Sequence, residues 1–133
     1  MREISLKTER KTQLIEITDD VRAALGGSNG ASAALVYVPH TTAGVAINER
    51  IDPELVTDLE NAFQRVVGDD WGWRHDDEDG PNAPSHARAS LASSPQVLIP
   101  LHEGSLALGT YQGVFFCEFD GPRERKIYVA TLS

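Results

Sequence analysis

Four histidines, His40, His75, His86 and His102, are the side chains of this 133-residue chain best suited to ligate a metal or move a proton. None forms a His-x-His or a helical i,i+4 pair, so any metal site must be assembled by the fold. His40 follows Pro39 at a break between two strand-like runs, His75 lies in a long acidic stretch, and His86 opens a short helix. Projecting from one rim, these three neutral imidazoles would suit a divalent ion, zinc or magnesium, with a position left open for water or a phosphate oxygen. Three separately hydrogen-bonded histidines satisfy the same spacing. His102, beside Glu103 in a turn, reads as solvated.

Carboxylates and hydroxyls add to this set. In "TYQGVFFCEFD" regular alternation puts Gln112, Glu118 and Asp120 on one face and Tyr111, Phe115, Cys117 and Phe119 on the other. Glu118 and Asp120 are then about 6.6 Å apart along the strand, close enough to hold a cation, orient a histidine or act as acid and base. A solvated strand end with a turn at Asp120-Gly121 is the plainer alternative. In "HTTAGVAINE" the hydroxyls of Thr41 and Thr42, with backbone N–H groups near Gly44, could receive an anionic oxygen. His40, Thr42 and Asn48 share one side if the strand runs through, and Glu49 points the other way. Arg88, Arg123, Arg125 and Lys126 stand out in an acidic chain; guanidinium forks match phosphate oxygens, so a small phosphorylated metabolite is a plausible ligand, and surface ion pairs explain the same residues equally well.

The formal charge of −8 leaves no basic face for a phosphate backbone, which argues against nucleic acid as a partner. No apolar run approaches the roughly 20 residues of a membrane span and no signal segment opens the chain, so a cytoplasmic protein with no membrane partner is expected. The length fits a single domain over residues 1–133. Cys117, the one cysteine, sits among phenylalanines and reads as core.

The elements that must position these residues follow from periodicity. "EISLKTE" and "TQLIEI" read as strands of an opening hairpin, and "TDDVRAALGG" as a short helix capped by Thr18 and stopped at Gly26. "GGSNGAS" is a loop; "AALVYV" and "GVAINE" are strands on either side of Pro39-His40. "DPELVTDLENAFQRVV" is the clearest helix, with Asp52 as cap, Pro53 at its first position, and Leu55, Leu59, Phe63 and Val66 as its apolar stripe. Gly68 to Pro84, dense in Asp, Gly and Pro, reads as a long functional loop anchored by Trp71 and Trp73. A helix "SHARASLAS" capped by Ser85 follows, and then four strands, "QVLIP", "SLALG", "TYQGVFFCEF" and "KIYVATL".

"HTTAGVAINE", "RHDDEDGPNAPSHARASL" and "LALGTYQGVFFCEFDGPRERKI" together resemble the three signature blocks of the YjbQ-like family, described as secondary thiamine-phosphate synthases. The resemblance covers nearly the whole chain. It implies an α+β fold, a single compact domain with a β-sandwich-like core and two or three helices, assembled as a homotrimer. It also implies a weak transferase activity joining hydroxymethylpyrimidine diphosphate to thiazole phosphate with release of pyrophosphate. Position by position it points to His40, Thr41, Thr42, Asn48 and Glu49, to His75, Asn82 and His86, and to Gln112, Glu118 and Asp120. On this expectation His40, His75 and His86 hold the metal, and His40, Glu49, Glu118 and Asp120 do the chemistry. Thr41, Thr42, Asn48, Asn82, Arg88, Gln112 and Arg123 then bind substrate. Pro84 and Tyr111 depart from the common pattern. Two alternatives stay open: metal-assisted hydrolysis of a phosphorylated or acylated metabolite, and a non-catalytic module binding a metal or thiamine-related ligand.

Overall fold

The computed structural model describes residues 1–27, 30–76 and 80–133. Parts of two loops read from the sequence, Ser28-Asn29 and Asp77 to Asp79, lie outside the described residues. The chain forms three layers. A five-stranded sheet is ordered β1-β8-β3-β5-β6, from β1 (Arg2–Lys7), β8 (Glu124–Leu132), β3 (Ala33–Tyr37), β5 (Gln96–His102) and β6 (Ser105–Leu106). It packs on a three-stranded sheet ordered β2-β7-β4, from β2 (Gln13–Glu16), β7 (Gln112–Glu118) and β4 (Ala43–Glu49). Helices α2 (Pro53–Arg65) and α3 (Ala83–Ala92) cover the other face of the smaller sheet, and α1 (Thr18–Leu25) closes one end of the sandwich. The expected α+β class with a sandwich-like core is what the chain adopts, with three helices among the described residues where two or three were expected.

β7 shows why the layers stack this way. Its residues alternate between two faces. Val114 and Phe116 enter the core between the sheets with Val36, Val45, Ile99 and Ile127. Phe115 and Cys117, joined by Phe119 just beyond the strand, pack with Leu14 and Ala89 and against Leu59 and Phe63 of α2. Both faces of this central strand are therefore apolar, and its run from Gly113 to Glu118 is buried throughout. Burial pushes the Cys117 thiol up to about 12, which makes it an inert core group. At the sheet edge, the outward N–H of Leu14 donates to Glu60 Oε2 at 2.8 Å, so a buried α2 carboxylate blunts the exposed ladder.

Three local expectations are corrected. β1 and β2 form no hairpin: Ile4 pairs with Ile127 in one sheet and Leu14 with Cys117 in the other. The intervening turn carries the chain across the sandwich, because buried Thr8 is bonded to the β7–β8 turn rather than to β2. Thr18 is not the α1 cap; Ile17 holds that position, and Thr18 Oγ1 accepts the Val114 N–H at 2.9 Å. Ser85 lies inside α3, which follows Asn82, and its hydroxyl donates to Phe119 O at 2.6 Å. The signals at α2 hold: Asp52 accepts the Glu54 N–H at 2.9 Å and Pro53 opens the helix. Trp71 and Trp73 stack at 6.1 Å, and the Trp73 indole donates to Gly68 O, so the pair pins the turn after α2.

Candidate functional site

A cleft of about 730 Å³ opens where four segments meet. The β3–β4 connection supplies His40, Thr41 and Thr42, and the start of α3 supplies Asn82 and His86. The β7–β8 turn supplies Asp120 and Arg123, and Arg125, the second residue of β8, is directed inward.

The foundation of the cleft is Glu118, the last residue of β7. It faces the inter-sheet core and is fully buried. Its Oε1 accepts Arg125 Nε at 2.8 Å and Thr8 Oγ1 at 2.8 Å, and its Oε2 accepts the N–H groups of Phe119 and Asp120 at 3.1 and 3.0 Å. Oε2 also takes the Nη2 of Arg125 in a close ion pair. Arg125 Nη2 in turn donates to Thr42 Oγ1 at 2.9 Å. A buried carboxylate therefore fixes a guanidinium bidentately and the guanidinium fixes the threonine. Arg125 Nη1 makes no hydrogen bond among the described residues, and the residue lines the cleft.

Asp120 builds the second half. It accepts Asn82 Nδ2 at 3.0 Å and Arg123 Nη2 at 2.8 Å, while Arg123 Nε donates to the Asp120 carbonyl at 2.9 Å. Burial pulls the Asp120 carboxyl upward, but the hydrogen bonds from Asn82 and Arg123 and the charges of Arg123 and Lys11 outweigh it, holding the group below the usual carboxylate range. Asn82 Oδ1 is buried without a partner among the described residues.

His40 Nε2 accepts the Lys126 backbone N–H at 3.0 Å. The neutral ring therefore carries its proton on Nδ1. Partial burial, followed by the charges of Arg125 and Arg123, lowers its pKa against the opposing pull of Glu118. His40 and His86 line the same cleft, and the His75 ring meets His86 edge-on at 5.2 Å. The three histidines are thus neighbours, yet the donor set does not fit the expected three-imidazole metal site. His40 has one nitrogen engaged and the other protonated, and among the described residues no group of three or more His, Cys, Asp or Glu is placed to hold an ion.

The other residues singled out from the sequence divide by location. Asn48, Glu49 and Gln112 sit at the far end of the β4–β7 ladder, where Glu49 pairs with Gln112 while Ala43, near the cleft, pairs with Glu118. Six residues of strand put them about 20 Å from the cleft. There Asn48 Oδ1 accepts the Glu49 N–H and Gln112 Oε1 accepts the Gly109 N–H, both at 2.8 Å. Arg88 is buried and turned toward the end of α2, where it donates to Gln64 O and Val67 O at 2.9 and 3.0 Å and pairs with Asp69. These four do not line the cleft. Conversely, Thr8 supports the cleft without having been singled out, and Arg125, noted only among the cations that could meet a phosphate, is central to it. Alternation through "RERKIYV" held the clue for Arg125, which shares the inward parity of Ile127 and Val129.

Fold and cleft together define a small two-sheet α+β domain with a polar, arginine- and histidine-bearing cleft at the seam between its sheets. The chain belongs to the YjbQ/UPF0047 family, whose model, described as "UPF0047 protein YjbQ-like", matches residues 2–133. It is 39% identical over 135 residues to the UPF0047 protein YugU of Bacillus subtilis, covering 99% of this chain and 98% of that one. The UPF0047 protein MJ1081 of Methanocaldococcus jannaschii is 38% identical over 128 residues, with 96% and 90% covered. Among solved structures, an uncharacterised conserved YjbQ/UPF0047 protein from Clostridium acetobutylicum superposes with a TM-score of 0.91 at 38% identity, covering 99% of this chain and 100% of that one. No helix among the described residues is long and apolar enough to cross a membrane.

Proposed function

We propose that the cleft binds a small phosphorylated metabolite and acts as a transferase of the thiamine-phosphate synthase type. The observation that carries this reading is the placement of Arg125: its carboxylate partner Glu118 is wholly buried behind it, so the guanidinium stands between that charge and the cleft. Arg123, Thr42 and the Nδ1–H of His40 add donors to the same wall.

In the reaction, the bond between the pyrimidine methylene carbon and the diphosphate oxygen breaks, and the thiazole nitrogen lone pair forms the new C–N bond. Pyrophosphate leaves with the bonding electrons. What this step needs from protein is stabilisation of negative charge growing on the leaving oxygen, and preorganised donors supply it without reorganisation. Arg125 is preorganised by Glu118 and Thr42, and Arg123 by Asp120. His40 serves as a donor on the rim, with His86 beside it in the same cleft.

The test is formation of thiamine phosphate from the two precursors, measured with and without added divalent ion. Arg123→Ala should lower kcat/KM by about 10²-fold, the range for removing one such donor, with Tm changed little. Absence of product from folded wild-type protein under both conditions would overturn the transferase. Binding of the diphosphate substrate alone, weakened in Arg123→Ala, would leave the cleft as a ligand site.

A further inference from the structure

A second cationic cleft, about 380 Å³, lies beneath the β1–β2 turn. Arg10 and Lys11 of that turn line it, with Arg65 at the end of α2, Asp69 just beyond, and Arg88 of α3. None of its residues lines the first cleft. In a chain of net charge −8, positive charge accumulates here: four cations stand against Asp69 and the Glu60 that pairs with Arg10, an excess of two (4 − 2). Arg10 is held by Glu60 through two bonds of 2.9 and 3.0 Å. Lys11 and Arg65 are exposed and make no salt bridge among the described residues.

Arg88 provides a second, independent observation. It is only 3% exposed, and its Nη2 is shared among Gln64 O, Val67 O and Asp69. Its Nε is buried with no hydrogen-bond partner among the described residues. Buried donors in folded proteins are almost always satisfied, so this unpaired N–H, with the cations around it, leaves the wall of the cleft short of acceptors.

We propose that this cleft is a separate binding site for a phosphate-type oxyanion, of the size of inorganic phosphate or pyrophosphate. Lys11 and Arg65, which make no salt bridge among the described residues, supply the charge, while Arg10 and Arg88, already fixed by their carboxylates, supply a rigid wall. The site also adjoins the first cleft, since Gly121 N donates to Lys11 O at 3.2 Å beside Asp120.

Calorimetric titration of the full chain with pyrophosphate, and separately with phosphate, at low ionic strength tests this. Wild type, the exposed double variant Lys11→Ala/Arg65→Ala, and Arg123→Ala are compared, with Tm confirming that each is folded. The expected result is a binding event that survives Arg123→Ala and weakens at least tenfold in the double variant. Titrations of the double variant that match wild type, or the loss of every event in Arg123→Ala, would overturn the second site. The transferase reading of the first cleft stands or falls separately, because it is read by turnover.

Discussion

Arg125 and Glu118 form the ion pair on which the first cleft depends, and both are almost wholly removed from water. The carboxylate's remaining lone pairs are taken by Thr8 and two backbone N–H groups, which is the condition under which a buried pair is tolerated. Glu118→Gln leaves the shape nearly unchanged but strands a buried guanidinium, so we expect a loss of about 3 kcal/mol or more, read as a lower midpoint in urea unfolding. Arg123→Ala, which breaks a half-exposed pair, should cost far less. His40 makes a prediction in pH. Its folded pKa lies below the ordinary value of 6.5, so its contribution to stability is complete above that value and declines as pH falls through the depressed folded pKa. The physical reason is that a protonated ring would carry its charge partly buried and beside Arg125 and Arg123. Tm should therefore fall below about pH 6.5 in wild type, and His40→Gln should flatten that part of the profile. Asp120, whose pKa is depressed below 3.8, adds its own loss only in more acid solution.

The turn from β7 to β8 joins the two clefts and tolerates little change. A Cβ on Gly121 would lie 2.3 Å from Arg10 O and 2.8 Å from Thr8 Oγ1, so backbone as well as side chain must give way. Gly121→Ala should destabilise by about 3 kcal/mol, as overpacking in a rigid place does, and should weaken ligand binding at both clefts together; unchanged Tm and binding would show that the turn is free to shift. Elements of this kind mark the limit of what was legible in the sequence. α2 was legible in its cap and its Pro53, which are local signals, and in Leu59 and Phe63 of its stripe; Val66 instead lies exposed just past the helix, and Val56 packs beside Leu59 and Phe63. The β7 alternation was legible too, and it placed Glu118 on the correct face, whose burial was signalled only by Val114 and Phe116 at the same parity. Thr8, Thr18 and Ser85 were misassigned or passed over for one reason: their hydroxyls bond to groups 34 to 115 residues away, to which no local pattern points. The same reason separates the site residues. His40, Asn82, His86 and Asp120 converge through tertiary folding, whereas Asn48 and Gln112 share a ladder that carries them away from the cleft.

At the scale of the molecule, the helices leave one sheet bare. α2 and α3 pack on the three-stranded sheet, while the outer face of the five-stranded sheet carries Leu35 paired with Leu98 and Tyr37 stacked on Tyr128 at 6.5 Å. Leu98 is 59% exposed and Tyr37 39%, which is unusual placement for large apolar groups at the centre of a sheet. We propose that this face is where copies of the chain associate, as the homotrimer implied by the family resemblance requires. Tyr37 also lines the first cleft, so association here would bring a neighbour to the rim of the site and link assembly to binding. Light scattering on wild-type protein at micromolar concentration should then give three times the 14.5 kDa chain mass. Leu98→Glu places a charge where the subunits would desolvate it, and should yield folded monomers whose β-sheet circular dichroism is intact and whose affinity for the diphosphate substrate is reduced. A wild-type protein that is monomeric would remove this face as an interface. A Leu98→Glu variant that remains trimeric would move the contact elsewhere and leave the apolar patch to another partner.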